Sequence, residues 1–203
     1  MQKKEKWIDR RIFLAYNISM RCNANKKRQV WQWILRISLT VACIAMLCFI
    51  FSNSLKDGEA SVQQSSTVVK VVQDVAAVVA PNSGIATATG EDYERLHDLV
   101  RTVAHFAEFM LFGALLLWCA ASYTWKKRGF CLALLGVLCV PIIDEILQVF
   151  VAGRGAEFCD VCTDVAGGVC GILFAILTLL VIIAVADRRS KKREDREDRT
   201  VGL

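Results

Sequence analysis

The chain has 203 residues, of which 55% are hydrophobic, and it carries a formal net charge of +5. This apolar content exceeds that of an ordinary soluble domain, so the first expectation is a membrane protein. The basic residues lie in short blocks beside apolar runs, which indicates membrane topology rather than nucleic-acid binding. Most of the nine cysteines fall within apolar runs, where cysteine behaves as a small hydrophobe, and we predict no disulfide framework.

Residues 1–29 are polar and basic. The apolar residues of this segment recur at helical spacing, so it is either a basic amphipathic helix on anionic lipid or a frayed tail. The first long apolar run follows at residues 30–51, with Trp31 and Trp33 as interfacial anchors. Its length suits one crossing of a hydrocarbon core about 30 Å thick, and we interpret it as an uncleaved signal anchor.

A long polar connection covers residues 52–100, and its first part is rich in serine. Valines at helical spacing in 68–79 predict a short amphipathic helix, which ends before Pro81 and is too one-sided to span a membrane. A new helix is expected to begin near Glu91, because acidic residues favour the first turn of a helix.

Residues 101–186 hold three further apolar runs, at about 103–123, 130–151 and 161–185, and a charged tail occupies 187–203. The predicted fold is therefore all-α. We expect an integral membrane bundle of four transmembrane helices, with an extracytoplasmic amphipathic helix between the first and second spans.

The distribution of lysine and arginine predicts the orientation. Of the 25 basic residues, 19 fall in the two tails and the loop between the second and third spans, whereas five lie in or directly beside the other two loops and Arg36 lies within the first span. The positive-inside rule then places both termini in the cytoplasm and the loops 52–100 and 152–160 outside.

This topology brings the ionisable and amide side chains of the last three spans to one level, at the outer end of the bundle. Each ionisable group at membrane depth costs about 2.5 to 3.5 kcal/mol, which makes it a candidate functional residue. The set consists of Arg101, His105, Glu108, Asp144, Glu145, Gln148, Arg154, Asp160 and Asp164.

Helical spacing predicts which of these side chains face the bundle. On the fourth span the two aspartates share a face with Gly167 or Gly168, Gly171 and Ala175, a small-residue stripe that favours close helix packing. On the third span we expect Glu145 to point inward and leave Asp144 open, since successive residues point about 100° apart. Arg101 or Arg154 is expected to pair with Glu145.

The acids of this cluster outnumber its bases by two even if His105 is protonated. Some carboxyl groups must therefore be protonated, exposed to water or paired with a bound cation. One histidine without an HExxH motif does not define a metal centre, so we predict no metal and no cofactor. Cys159 and Cys162 form a lone CxxC, which is more typical of helix packing than of redox chemistry. Pro141 either kinks the third span and opens a pocket or is accommodated without one.

The ordered segments resemble the VanZ-like family of membrane proteins. They are RTVAHFAEF at 101–109, DEILQVF at 144–150, GR at 153–154 and DVCTDVAG at 160–167 with Gly171, and FSNS at 51–54 is similar to the serine-rich region of that family. The resemblance covers about residues 50–175. Ala152 stands where the family pattern has proline, and Asp164 where it has asparagine.

The resemblance implies a cell-envelope protein of Gram-positive bacteria, in a family named for an accessory protein of teicoplanin resistance. We predict an outward-facing polar pocket for an envelope lipid, a lipid-linked wall precursor or a glycopeptide, in a protein that contacts membrane lipids and can form a homo-oligomer. The predicted binding residues are Arg101, His105, Glu108, Glu145, Gln148, Arg154, Asp160 and Asp164. The alternative is a membrane enzyme acting on such a lipid, with His105 and Glu108 or Glu145 as acid and base.

Overall fold

The computed structural model describes the backbone of residues 2–123 and 127–201, and the side chains of residues 26–123 and 128–189. This part of the chain folds into helices without a strand, which confirms the predicted all-α class. The helices are α1 (Gln2–Ser54), α2 (Gly58–Val79), α3 (Glu91–Tyr123), α4 (Lys127–Val149) and α5 (Phe158–Val201).

Four of the helices are long and apolar enough to cross a membrane, which confirms the predicted four-span bundle. The candidate spans are Lys26–Ser54, Glu91–Tyr123, Arg128–Val149 and Phe158–Arg189. The proposed lipid-bound face of the N-terminal segment and the charged side chains after residue 189 lie outside the described residues.

Two helix starts follow from local chemistry. Helix α3 begins at Glu91, as its acidic first turn predicts. Helix α2 begins at Gly58, ten residues earlier than the valine pattern predicts, because the Asp57 carboxylate caps it by accepting a 2.7 Å hydrogen bond from the amide of Ala60. An N-cap of this kind satisfies an amide that the first turn leaves without a partner.

Helices α3 and α5 pack together through glycine. A side chain added at Gly113 would collide with the backbone of Gly168, and one added at Gly171 would collide with the backbone carbonyl of Met110. The three glycines of α5 in this region, Gly167, Gly168 and Gly171, are all buried. The predicted small-residue face of the fourth span therefore faces the bundle, where it lets two helix backbones approach closely.

Apolar side chains fill the bundle and also cover its outside. Ala114 and Leu117 of α3 are buried with Ala133 of α4 and Ala175 of α5. Outward-facing leucines and isoleucines of α5 stay exposed, as Ile182 is at 62%. Such a surface suits lipid, because it would be costly in water.

Helix α2 runs antiparallel to the first half of α3. Val69 of α2 is buried against Leu96 and Ala88, and the Gln73 amide donates a 3.1 Å hydrogen bond to the carbonyl of Ala88. The start of α2 is tied to the loop before α5, where the Gly58 amide donates to the carbonyl of Ala152 at 3.2 Å. This hairpin forms a wall beside the polar end of the bundle.

Candidate functional site

A cavity of about 460 Å³ lies between the first half of α2 and the first half of α3. Its volume falls within the range of about 300 to 1,000 Å³ that small-molecule sites occupy. Its main polar lining residues are Asn53, Ser61, Gln64, Ser65, Arg101, His105, Glu108 and Arg154. Its main apolar lining residues are Val68, Val72, Ile85, Leu96, Leu99, Val100 and Val103.

Arg154, in the loop between α4 and α5, donates its hydrogen bonds to neutral oxygens. Its two terminal nitrogens contact the carbonyl of Ser54 at 3.1 Å and the hydroxyl of Ser61 at 2.8 Å. A further contact of 3.4 Å reaches the carbonyl of Asn53. No described carboxylate lies within ion-pair distance of this guanidinium, so its charge is not compensated by direct pairing.

Burial lowers the pKa of Arg154, and the positive charge of Arg101 lowers that pKa further. The carboxylates of Asp144, Glu145 and Asp160 act in the opposite direction and raise it, although none of them pairs with the guanidinium directly. Arginine stays protonated at neutral pH all the same. Two guanidinium groups that repel one another on the same cavity wall would both be stabilised by an anion between them.

Arg101 joins α3 to α5. One of its terminal nitrogens lies 2.9 Å from a carboxylate oxygen of Asp160, which stands in the first turn of α5. The predicted pairing of Glu145 with an arginine is wrong, because Glu145 instead accepts a hydrogen bond from the backbone amide of Glu157. The backbone amide of Glu157, directly before α5, is the donor in place of an arginine side chain.

His105 lies between the cavity and α5. Its Nδ1 atom is 3.6 Å from Oδ1 of Asp164, whose side chain is only 2% exposed. Both atoms are buried without a closer hydrogen-bond partner. One turn further along α3, Glu108 accepts a 3.2 Å hydrogen bond from the Asn53 amide. Lys56 in turn donates to the Asn53 side-chain oxygen at 2.9 Å.

Asp144 points into the bundle beside Glu145, which settles the facing that helical spacing left open. It is 1% exposed, and Ser54 of α1 donates a 2.5 Å hydrogen bond to its Oδ1 atom. The Gln148 amide donates to its Oδ2 atom at 3.2 Å. Glu145 also faces inward, as predicted, at 6% exposure.

Four of the predicted binding residues line the cavity, namely Arg101, His105, Glu108 and Arg154. The other four, Glu145, Gln148, Asp160 and Asp164, do not line it. They lie in the packed bundle or at its edge, where Asp160 and Asp164 flank the arginine and histidine of the wall. The predicted cluster is therefore two connected parts, a cavity wall and a polar layer behind it.

Sequence reasoning missed the contribution of α1 and α2 to the wall. Asn53, Ser61, Gln64 and Ser65 all belong to the serine-rich stretch that precedes the valine pattern. The resemblance of residues 51–54 to a family segment was the available signal. Among the described residues, no group of three or more histidine, cysteine or acidic side chains is placed to hold a metal ion.

The apolar spans and the polar groups gathered at one end of them define a multi-pass membrane protein with a partly buried polar cluster. The family model described as VanZ/LLP1 matches residues 39–181, and the chain belongs to this family. The matched range contains the cavity and every partner described for its charged residues. Comparisons with curated proteins and with solved structures give no match.

Proposed function

We propose that this protein binds an amphiphilic molecule of the cell envelope in the cavity between α2 and α3. The anionic group of that molecule contacts Arg154 and Arg101, and its apolar part lies against the valines and leucines of the wall. An envelope lipid, a lipid-linked wall precursor or an amphiphilic antibiotic has the required chemistry. Binding of the last two would connect the protein with glycopeptide resistance, including resistance to teicoplanin.

The proposal includes a location and an orientation. The protein resides in the cell membrane of a Gram-positive bacterium, with both termini in the cytoplasm and the cavity on the outer side. The support is the excess of lysine and arginine in the tails and the loop between α3 and α4, because such residues are retained on the cytoplasmic side.

The observation that carries the proposal is the state of Arg154. A guanidinium has five N–H donors, and those of Arg154 reach only carbonyl and hydroxyl oxygens. A buried or half-buried charge is normally paired, because desolvation without a counter-charge is costly. An anionic ligand group in the adjoining cavity supplies the missing counter-charge.

The experiment compares lipids that copurify with the full chain. Wild-type protein and the Arg154→Gln variant are extracted from membranes, and bound amphiphiles are identified by native mass spectrometry. The matched control is Arg95→Gln, because Arg95 lies on the same helix as Arg101 with its side chain 78% exposed and outside the cavity. We expect an anionic amphiphile on the wild type and on the control, and its loss from Arg154→Gln. Equal occupancy of all three would contradict the proposal.

A second function is favoured by the geometry at His105. An imidazole on a cavity wall with a carboxylate 3.6 Å behind it resembles the base and orienting group of many enzymes. In this reading His105 and Glu108 transfer protons for a reaction on a lipid or lipid-linked substrate. If His105→Gln abolishes the cellular phenotype while the copurifying amphiphile is retained, chemistry is favoured. If both are lost from a folded protein, binding is favoured.

A further inference from the structure

The cavity extends beyond the hydrocarbon core. Arg36 donates a 2.8 Å hydrogen bond to the carbonyl of Ser122 and lies over the ring of Tyr123, which marks the other end of the bundle as interfacial. Counting from Tyr123, about 20 residues of helix cross a core about 30 Å thick. The opposite boundary therefore falls near Val103, and the first third of α3 projects past it together with α2.

Polarity along the cavity runs opposite to that of a bilayer leaflet. The polar groups Asn53, His105 and Glu108 lie at the level of the boundary or below it. The other polar lining residues follow directly outside it, namely Arg101, Arg154, Ser61, Gln64 and Ser65. The apolar groups Val68, Val72, Ile85, Leu96 and Leu99 come from the parts of α2, α3 and their connection that project farthest. A membrane lipid in its ordinary orientation has its chains toward the bilayer centre and its head group outside.

We infer that the ligand is a single-chain anionic amphiphile bound with its head group toward the bundle and its chain between α2 and the projecting part of α3. This inference rests on the proposed binding function and specifies the ligand of the same cavity. The chain leaves the bilayer, and the hairpin shields it from water. A phosphate and a carboxylate head group share the chemistry that the arginines recognise.

The dimensions agree with one chain. The lining of α3 runs from Leu96 to Glu108, a distance of about 18 Å at about 1.5 Å per residue. Apolar side chains bound the outer part of this length on both sides, and burying a chain there removes apolar surface from water. A two-chain lipid would have to withdraw both chains into the same cavity of about 460 Å³.

The test locates the two ends of a probe in the full chain reconstituted in neutral-lipid nanodiscs. The probe is stearate with a nitroxide either near its carboxylate or near its chain end. Two tryptophan reporters are introduced outside the lining, Ala76→Trp one turn beyond Val72 and Leu111→Trp one turn below the polar end. The signal is the fluorescence quenching that is lost when Arg154→Gln is added to each reporter.

We expect the chain-end nitroxide to quench the A76W variant more strongly than the head-end nitroxide, and the opposite order in the L111W variant. Val72→Asn makes the apolar end polar without touching either arginine, and it should reduce chain-end quenching of A76W. Unlabelled lysophosphatidylglycerol should displace the probe, whereas phosphatidylglycerol and lysophosphatidylcholine should displace it poorly.

The inverted orientation would be overturned if the head-end nitroxide quenched A76W more strongly and the chain-end nitroxide quenched L111W more strongly. If that quenching still saturates and still requires Arg154, amphiphile binding itself remains supported. Equal displacement by the two-chain lipid would overturn the single-chain assignment alone. Quenching that does not depend on Arg154 in either reporter would overturn the proposed function and this inference together. Arg95→Gln added to the reporters provides the matched charge control and should leave both signals unchanged.

Discussion

Ser54, the last residue of α1, donates a 2.5 Å hydrogen bond to Oδ1 of Asp144 in α4, and both residues are at most 2% exposed. The same serine accepts a hydrogen bond from Arg154 through its backbone carbonyl. One residue thus connects the first span, the buried carboxylate of the third span and the arginine of the cavity wall.

Replacing Ser54 with alanine should destabilise the bundle by about 1 to 3 kcal/mol, because a buried oxygen of Asp144 loses its donor. The measurement is the thermal or denaturant midpoint of the purified protein in detergent. Ser52→Ala is the matched control, since Ser52 is exposed two residues earlier on the same helix, and its midpoint should stay close to that of the wild type. A Ser54→Ala midpoint equal to that control would show that the hydrogen bond does not stabilise the fold.

Periodicity and composition predict the fold because both report directly on burial in lipid. The four spans, the start of α3 at Glu91 and the small-residue face of α5 all follow from such patterns. The start of α2 does not follow, because it depends on one capping carboxylate at Asp57 rather than on a repeated pattern. Local capping shifts a helix boundary without changing the apolar periodicity.

Gly171→Ala should also destabilise the bundle, by about 1 to 3 kcal/mol, although alanine is the better helix former by about 1 kcal/mol. The reason is that the added methyl group would collide with the backbone of α3 at Met110 and Ala114. Gly155→Ala is the control, since the space around Gly155 is open. Thermal unfolding of both variants shows whether each substitution lowers or raises the stability of the bundle. A Gly171→Ala protein more stable than the wild type would contradict the close packing of α3 and α5.

Glu145 should tolerate glutamine better than alanine. Its carboxylate accepts from the backbone amide of Glu157, just before α5 begins, and a glutamine side-chain oxygen can accept the same bond. Removing the acceptor should cost about 0.5 to 2 kcal/mol, as loss of a helix cap does. The comparison is of unfolding midpoints and of the cellular phenotype. If Glu145→Gln is as stable as the wild type but inactive, Glu145 has the acid or base role that its place outside the cavity argues against.

The arrangement of the site shows what a single sequence conceals. Helical spacing places the charged residues at one end of the bundle, but it does not choose their partners. Arg101 forms an ion pair with Asp160, and Arg154 donates hydrogen bonds to the carbonyl groups at the end of α1. Charge counting alone would instead favour Glu145 as the partner of an arginine. The partner of each arginine depends on where the end of α1 and the loop after α4 lie in the folded protein. The periodicity of the sequence does not contain that information.

Asp160 and the anionic ligand should compete for Arg101. In the structure the Arg101 guanidinium is 2.9 Å from Asp160, and the two side chains are 35% and 21% exposed. A partly exposed ion pair contributes up to about 1 kcal/mol. Asp160→Asn should therefore cost little stability, while it frees Arg101 and removes a negative charge beside the cavity.

Binding of the carboxylate-headed stearate probe should consequently tighten by up to about fivefold in Asp160→Asn, by the conversion of about 1 kcal/mol into affinity. Arg101→Gln should weaken binding, and the double variant should bind like Arg101→Gln alone, because the carboxylate acts through the arginine. Titration of the probe by fluorescence quenching in nanodiscs gives the four dissociation constants of this cycle. Additive effects of the two substitutions would mean that Asp160 repels the ligand directly, and weaker binding by Asp160→Asn would mean that the ion pair positions Arg101 for the ligand instead of competing with it.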